Sequence, residues 1–169
     1  MPHFILIAFT LLAMTLAPQA WTATFAGSVK KIPTGDRLVV SDKKGRVFAV
    51  RLHGVMAPVE TQASFNASRK MLRRLIAKKR VWVDWFEKKE GAELGKVFIG
   101  GEDLALKLLQ RGAVWYDYRQ ARDQSISDRG LYKEAEEDAH RKHLGLWRNT
   151  RAVEPWLWNK ATRSAATKK

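Results

Sequence analysis

The sequence predicts an α+β protein: a five-stranded, OB-type β-barrel with about three helices packed outside it. Three observations lead there. Apolar residues alternate with period two from 25 to 54 and are punctuated by Pro33-Thr34-Gly35 and Lys43-Lys44-Gly45, the pattern of three antiparallel strands joined by hairpins. From 65 to 77 the period lengthens to that of a helix, and two further alternating runs, VWVDWFE (81–87) and ELGKVFIG (93–100), follow across KKEGA. Five short strands with a helix inserted after the third suit a small closed barrel, an architecture whose exposed face commonly takes oligonucleotides. Fold alone does not fix function.

Each element has its own signature. FAGSVKKI, DRLVVSD and RVFAVRLHGV supply the first three strands. In the following helix Ala67, Met71 and Leu75 form one stripe and Ser68, Leu72 and Ile76 a second beside it, while Arg69, Lys70, Arg73 and Arg74 face outward. A short helix over 103–111 buries Leu104 and Leu108 and stops at Gly112. A third begins near Ser127 or Asp128 and ends in HLGLW, where Gly145 is suited to a left-handed cap. The barrel domain is expected over 25–149. Beyond it, 150–169 holds Pro155-Trp156-Leu157-Trp158 and then a Lys/Arg/Ala/Thr stretch expected to be disordered. No internal repeat is present.

Composition narrows the setting. The first twenty residues, MPHFILIAFTLLAMTLAPQA, carry an apolar run from 4 to 17 followed by small residues, the layout of a secretory signal peptide. The run falls short of the roughly 20 apolar residues that cross a bilayer. Cleavage leaves a secreted or periplasmic protein without stable membrane insertion; retention would make the segment an anchor. The segment holds no charged side chain, so the whole excess of +14, from 31 Lys+Arg and 17 Asp+Glu, lies in the rest of the chain. Such a field attracts polyanions, whether nucleic acid or an anionic envelope surface, although solubility alone is the plainer explanation. With no cysteine, stability must come from packing rather than disulfides.

The stretch RLHGVMAPVETQ (51–62) runs from a strand into a loop. Together with TGDRLVV (34–40), KKRVWVD (78–84), GGEDLALKLLQRGAVWYDY (100–118), AEEDAHRKHLGLW (135–147) and EPWLW (154–158), it resembles the staphylococcal nuclease family from about residue 25 to 158. The resemblance implies the OB-type barrel and, in active members, phosphodiester hydrolysis with a calcium ion, two arginines and a glutamate. Calcium wants several hard oxygen ligands, and planar guanidinium forks suit the charge that develops on a phosphate.

Carried over residue by residue, the resemblance places Asp36 on the second aspartate of the metal turn, with Thr34 replacing the first and Arg37 the threonine. Arg51 matches the first arginine. Met56 falls on the second metal aspartate of the loop, Val59 on the general-base glutamate and Ala92 on the second arginine. Tyr118 lies where the family has a tyrosine that contacts the nucleotide. A calcium site with one protein carboxylate would bind with a Kd on the order of millimolar or worse. Loss of a general base costs about 10² to 10⁴ in rate and loss of a clamp a further ~10² to 10³, the two not simply multiplying. The neighbouring Glu60 is the one substitute base in the loop, and only if a one-residue shift swings it inward.

Other residues have plainer roles beside functional ones. Asp36 could cap a turn, and Arg51 could form a structural ion pair with Asp36 or Glu60. His53 has no ligand partners at metal spacing, and His140 and His143, three apart, read as exposed helix histidines. The stripe Arg69, Lys70, Arg73, Arg74, Lys78, Lys79 and Arg80 is a solvated face or a phosphate-binding one. Trp82 and Trp85 lie on opposite faces of a strand, so one of them should be out of the core. Trp115, Tyr116 and Tyr118 could stack bases, whereas Trp147, Trp156 and Trp158 should tie the tail to the barrel.

The expectation is an exported nuclease-fold protein with lost or weakened chemistry that binds nucleic acid or another phosphate-rich polyanion. Phosphates would meet Arg37, Arg51, Arg73 and Arg74, and bases the aromatics near Tyr118. No cofactor is expected, calcium only if Asp36, Arg51 and Glu60 form a working residual nuclease. A third alternative is a non-enzymatic envelope protein whose basic, aromatic surface meets a protein or anionic glycan.

Overall fold

The computed structural model describes residues 23–89 and 91–158. The leader expected over 1–20, Glu90 of the KKEGA turn and the basic stretch from 159 onward lie outside the described residues.

Strands β1 (Ala23–Thr34), β2 (Arg37–Asp42) and β3 (Val47–Leu52) form a consecutive antiparallel meander. A second hairpin, β5 (Arg80–Lys89) and β6 (Ala92–Ile99), lies on the other side of β1. Residues 50–52 of β3 then pair in parallel with 93–95 of β6, which closes five strands into a barrel. Irregular register between Val29 and Thr34 bends the long first strand, as bulges do at barrel corners.

The alternation in the sequence fills the interior. Leu38 and Val40, Val50 and Leu52, Val81 and Val83, Val97 and Ile99 all point inward, none more than 2% exposed, and each such side chain contributes about 1.5–3 kcal/mol of burial. Helix α1 (Phe65–Ile76) covers one opening with Phe65, Leu72 and Ile76. Of the two stripes expected there, only that of Ser68, Leu72 and Ile76 is buried; Met71 and Leu75 lie half-buried at its edge and Ala67 is exposed. One helix offers a flat barrel end about one row of side chains.

Helix α2 (Leu104–Leu109) starts at Asp103, whose carboxylate accepts from the Ala105 and Leu106 amides, and ends where Gly112 takes a left-handed conformation. Helix α3 (Ile126–Arg141) starts at Ser125, whose hydroxyl accepts from the Asp128 amide. Its end departs from expectation. The Leu144 amide donates to the Ala139 carbonyl and the His143 amide to that of His140, with His143 at φ +52°. The paired bonds of a left-handed helix stop therefore fall on His143. Gly145, also left-handed, instead abuts the Gly112 and Arg111 carbonyls, where a Cβ would collide.

Three very short strands were not anticipated. β4 (Val55–Met56) pairs with β8 (Trp115–Tyr116), and β7 (Glu102–Asp103) pairs antiparallel with the end of β6. A polar network joins the outer helices to the barrel: Lys96 Nζ lies 2.8 Å from Asp128 and 3.5 Å from Asp103, and the Tyr132 hydroxyl donates to Asp103 at 2.6 Å. No described helix is long and apolar enough to cross a membrane.

Candidate nucleic-acid interface

The β1–β2 turn, the end of β3 and the loop after β4 meet at one end of the barrel. Gly35 makes the approach possible: a Cβ there would collide with the Ser68 side chain of α1 and lie 3.0 Å from the Ala57 Cβ of the loop. Next to it Asp36 is 5% exposed. Its carboxylate accepts from the Thr34 hydroxyl at 2.5 Å and its carbonyl from the Leu52 amide at 2.9 Å. Arg51 is 7% exposed and stands opposite Arg37 on β2 and Leu94 on β6. Ala92, 4% exposed, heads β6 just before that pairing. The barrel closure thus brings positions 51 and 92 onto neighbouring strands, with a guanidinium at the first and a methyl group at the second.

The loop from 56 to 62 is held from two sides. On one, the Arg119 guanidinium grips Asp117 with two bonds, Nε at 2.7 Å and Nη2 at 2.8 Å, and Nη2 reaches the Met56 sulfur at 3.5 Å. Burial alone would raise the Asp117 carboxyl, but hydrogen bonds from Arg119 and Gln120 outweigh it and hold the group below its usual range. On the other side the C-terminal extension crosses the loop. Val59 donates its amide to Gln62 Oε1 at 2.9 Å, Gln62 Nε2 donates to the Val153 carbonyl at 2.7 Å, and Trp158 Nε1 donates to Thr61 at 2.8 Å. Trp156 packs edge-on to Tyr118, centroids 5.6 Å apart, and lies under Arg119 at 4.5 Å.

Several expected site residues are not brought together. Glu60 is exposed in the loop, and Arg73 and Arg74 are exposed on α1. Of the three aromatics expected to stack bases, only Tyr118 is available, at 60% exposure; Trp115 and Tyr116 are buried at 3% and 8%. The cause is the unanticipated β4–β8 pairing, which turns them inward against Trp147 and Tyr132. His53 is buried at 3% exposure with its amide bonded to Gly95. The His140 ring packs on Trp147, centroids 4.9 Å apart. Among the described residues no three His, Cys, Asp or Glu side chains converge as metal ligands do.

These residues do not fit the calcium ion that the family resemblance implies. A hard divalent cation needs several anionic or carbonyl oxygens. Here a thioether stands at Met56 and an isopropyl group at Val59, and a guanidinium already lies against the sulfur. Sequence reasoning missed Arg119 and Asp117; the only cue was the acid–base spacing in Asp117-Tyr118-Arg119, a weak one.

Comparison with known proteins agrees with the fold. Residues 49–149 match the family model described as staphylococcal nuclease homologue. The chain is 31% identical over 163 residues to a protein named micrococcal nuclease from Shigella flexneri, covering 90% of each. It is 28% identical over 161 residues to an uncharacterized endonuclease from Haemophilus influenzae, covering 92% of this chain and 85% of that one. To protein ParB of Escherichia coli it is 29% identical over 163 residues, covering 90% and 89%. With the barrel, the Gly35 turn and the Arg51 strand in place, the chain belongs to the staphylococcal nuclease homologue family.

Proposed function

We propose that this chain binds nucleic acid or another phosphate-rich polyanion outside the cytoplasm, as a secreted or periplasmic protein, with calcium-dependent phosphodiester hydrolysis lost or severely weakened. The observation that carries the reading is the substitution of Met56, Val59 and Ala92 at the positions of a metal carboxylate, the base and a clamp. Arg51, Arg37 opposite it on β2 and the exposed ring of Tyr118 are groups of the kind that take a phosphate and a base. The charge of +14 adds attraction at long range.

The names of the relatives favour a second reading, a working secreted nuclease that uses Asp36, Arg51 and Glu60. One assay separates the two: the purified protein is incubated with single-stranded DNA in calcium and in chelator. The first reading expects no chelator-sensitive cleavage and salt-dependent binding. Cleavage that needs calcium and disappears in Arg51→Ala overturns it. No binding at low salt would instead favour a non-enzymatic envelope partner.

A further inference from the structure

A second basic feature lies on the barrel wall rather than at the loop. Strand β1 contributes Lys30 and Lys31 to a cleft of about 640 Å³, α1 contributes Arg69 and Arg73, and the turn into β5 contributes Lys78 to Arg80. Seven of the twelve lining residues are cationic and none is acidic. Glu102, which lies within electrostatic reach of Lys79, is turned to Lys107 at 2.5 Å. The Arg69 guanidinium lies 5.6 Å from the Phe65 ring, which steadies one wall.

The turn itself is unusual. Lys78 adopts φ +58°, a conformation that glycine takes far more readily, so a charged side chain stands where the backbone favours none. Beside the cleft is an aromatic platform. Ser28 of the lining pairs with Arg80, and the next outward pair along the same strands is Ala26 with Trp82. Trp82 therefore shares Arg80's face, about 7 Å along β5, and its ring is 55% exposed.

We infer that this cleft and Trp82 form a second binding site, for the backbone and bases of a single-stranded nucleic acid. The inference rests on the reading above that the ligand is nucleic acid. The cations neutralise successive phosphates without reading sequence. The exposed indole offers the face on which an unpaired base stacks, a contact a duplex cannot make with its bases buried in the helix.

The test measures affinity of the purified protein for a labelled single-stranded oligonucleotide across a salt series. Lys30→Ala/Arg73→Ala/Arg80→Ala should weaken binding for every sequence alike and reduce the slope of log K against log salt by about 2, at roughly 0.7 per lost phosphate contact. Trp82→Ala should weaken it about 5- to 150-fold with the slope unchanged. Lys78→Gly, which suits the left-handed backbone, removes one charge without burdening the fold and should lower the slope by about 0.7. Wild-type binding that survives all three but falls in Arg37→Ala and Tyr118→Ala overturns the second site and leaves the loop-end reading intact. Failure of the wild type to bind at low salt overturns both. A sulfated polysaccharide bound as tightly, and indifferent to Trp82→Ala, would reassign the cleft to a glycan.

Discussion

Glu136 shows how much one buried group can carry. Its carboxylate accepts from the Tyr116 amide at 2.8 Å. Burial pushes its pKa up to about 7 against that bond, and nearby Glu154 and Glu137 add to the rise. Folded chains therefore keep a proton that unfolded chains release near pH 4.5. The stability tied to this proton is complete below about pH 4.5, declines as pH rises toward 7 and is gone above it. Glu136→Gln keeps the acceptor without the charge. It should stabilise the protein at pH 8 by on the order of 1–2 kcal/mol, after allowance for screening at a half-buried site, and leave stability at pH 4 nearly unchanged. Denaturant unfolding at the two pH values checks this; equal shifts at both would contradict the assignment.

Among the elements, the loop and the tail that crosses it are the most interdependent. Gln62 joins them with one side chain, bonded to Val59 within the loop and to Val153 beyond it. Gln62→Ala should cost about 1–2 kcal/mol through the two lost bonds and speed amide exchange at 59–62 while exchange in β5 stays slow. Unchanged loop exchange would show that the tail bears on the loop without holding it. Sequence pattern made the strands, α1 and the Trp-rich tail legible, because period and turn residues are local signals. The β4–β8 pairing was not, since two-residue strands have no period. Its consequence, the burial of Trp115 and Tyr116, was therefore invisible as well. The Arg119–Met56 contact spans 63 positions and leaves no trace in either neighbourhood.

For the molecule as a whole, the proposed function separates an intact barrel from its chemistry, and that separation can be tested by substitution at Met56, Val59 and Ala92. Met56→Asp with Val59→Glu places carboxylates on either side of Ala57, the loop residue that lies against the Gly35 turn. It should confer calcium-dependent cleavage of single-stranded DNA at a low rate, read with a fluorogenic oligonucleotide. Adding Ala92→Arg should raise the rate by about 10² to 10³, at a cost of about 1–3 kcal/mol for forcing a large side chain into a 4% exposed position. A triple variant that folds and still cleaves nothing would mean that the Arg119 guanidinium, or the tail, blocks the site as effectively as the missing groups. The parallel seam between β3 and β6 has a wider consequence. Its halves, 50–52 and 93–95, lie 43 residues apart, so until the later one docks, the sheet has two bare edges, each a template for another copy. Gly95, opposite Leu52 in that seam, also lies close to β5: a Cβ there would sit 2.5 Å from the Asp84 carbonyl and push apart the β5–β6 pairing that presents the seam. Damage at this point would do more than destabilise one chain; it would invite strand exchange between molecules.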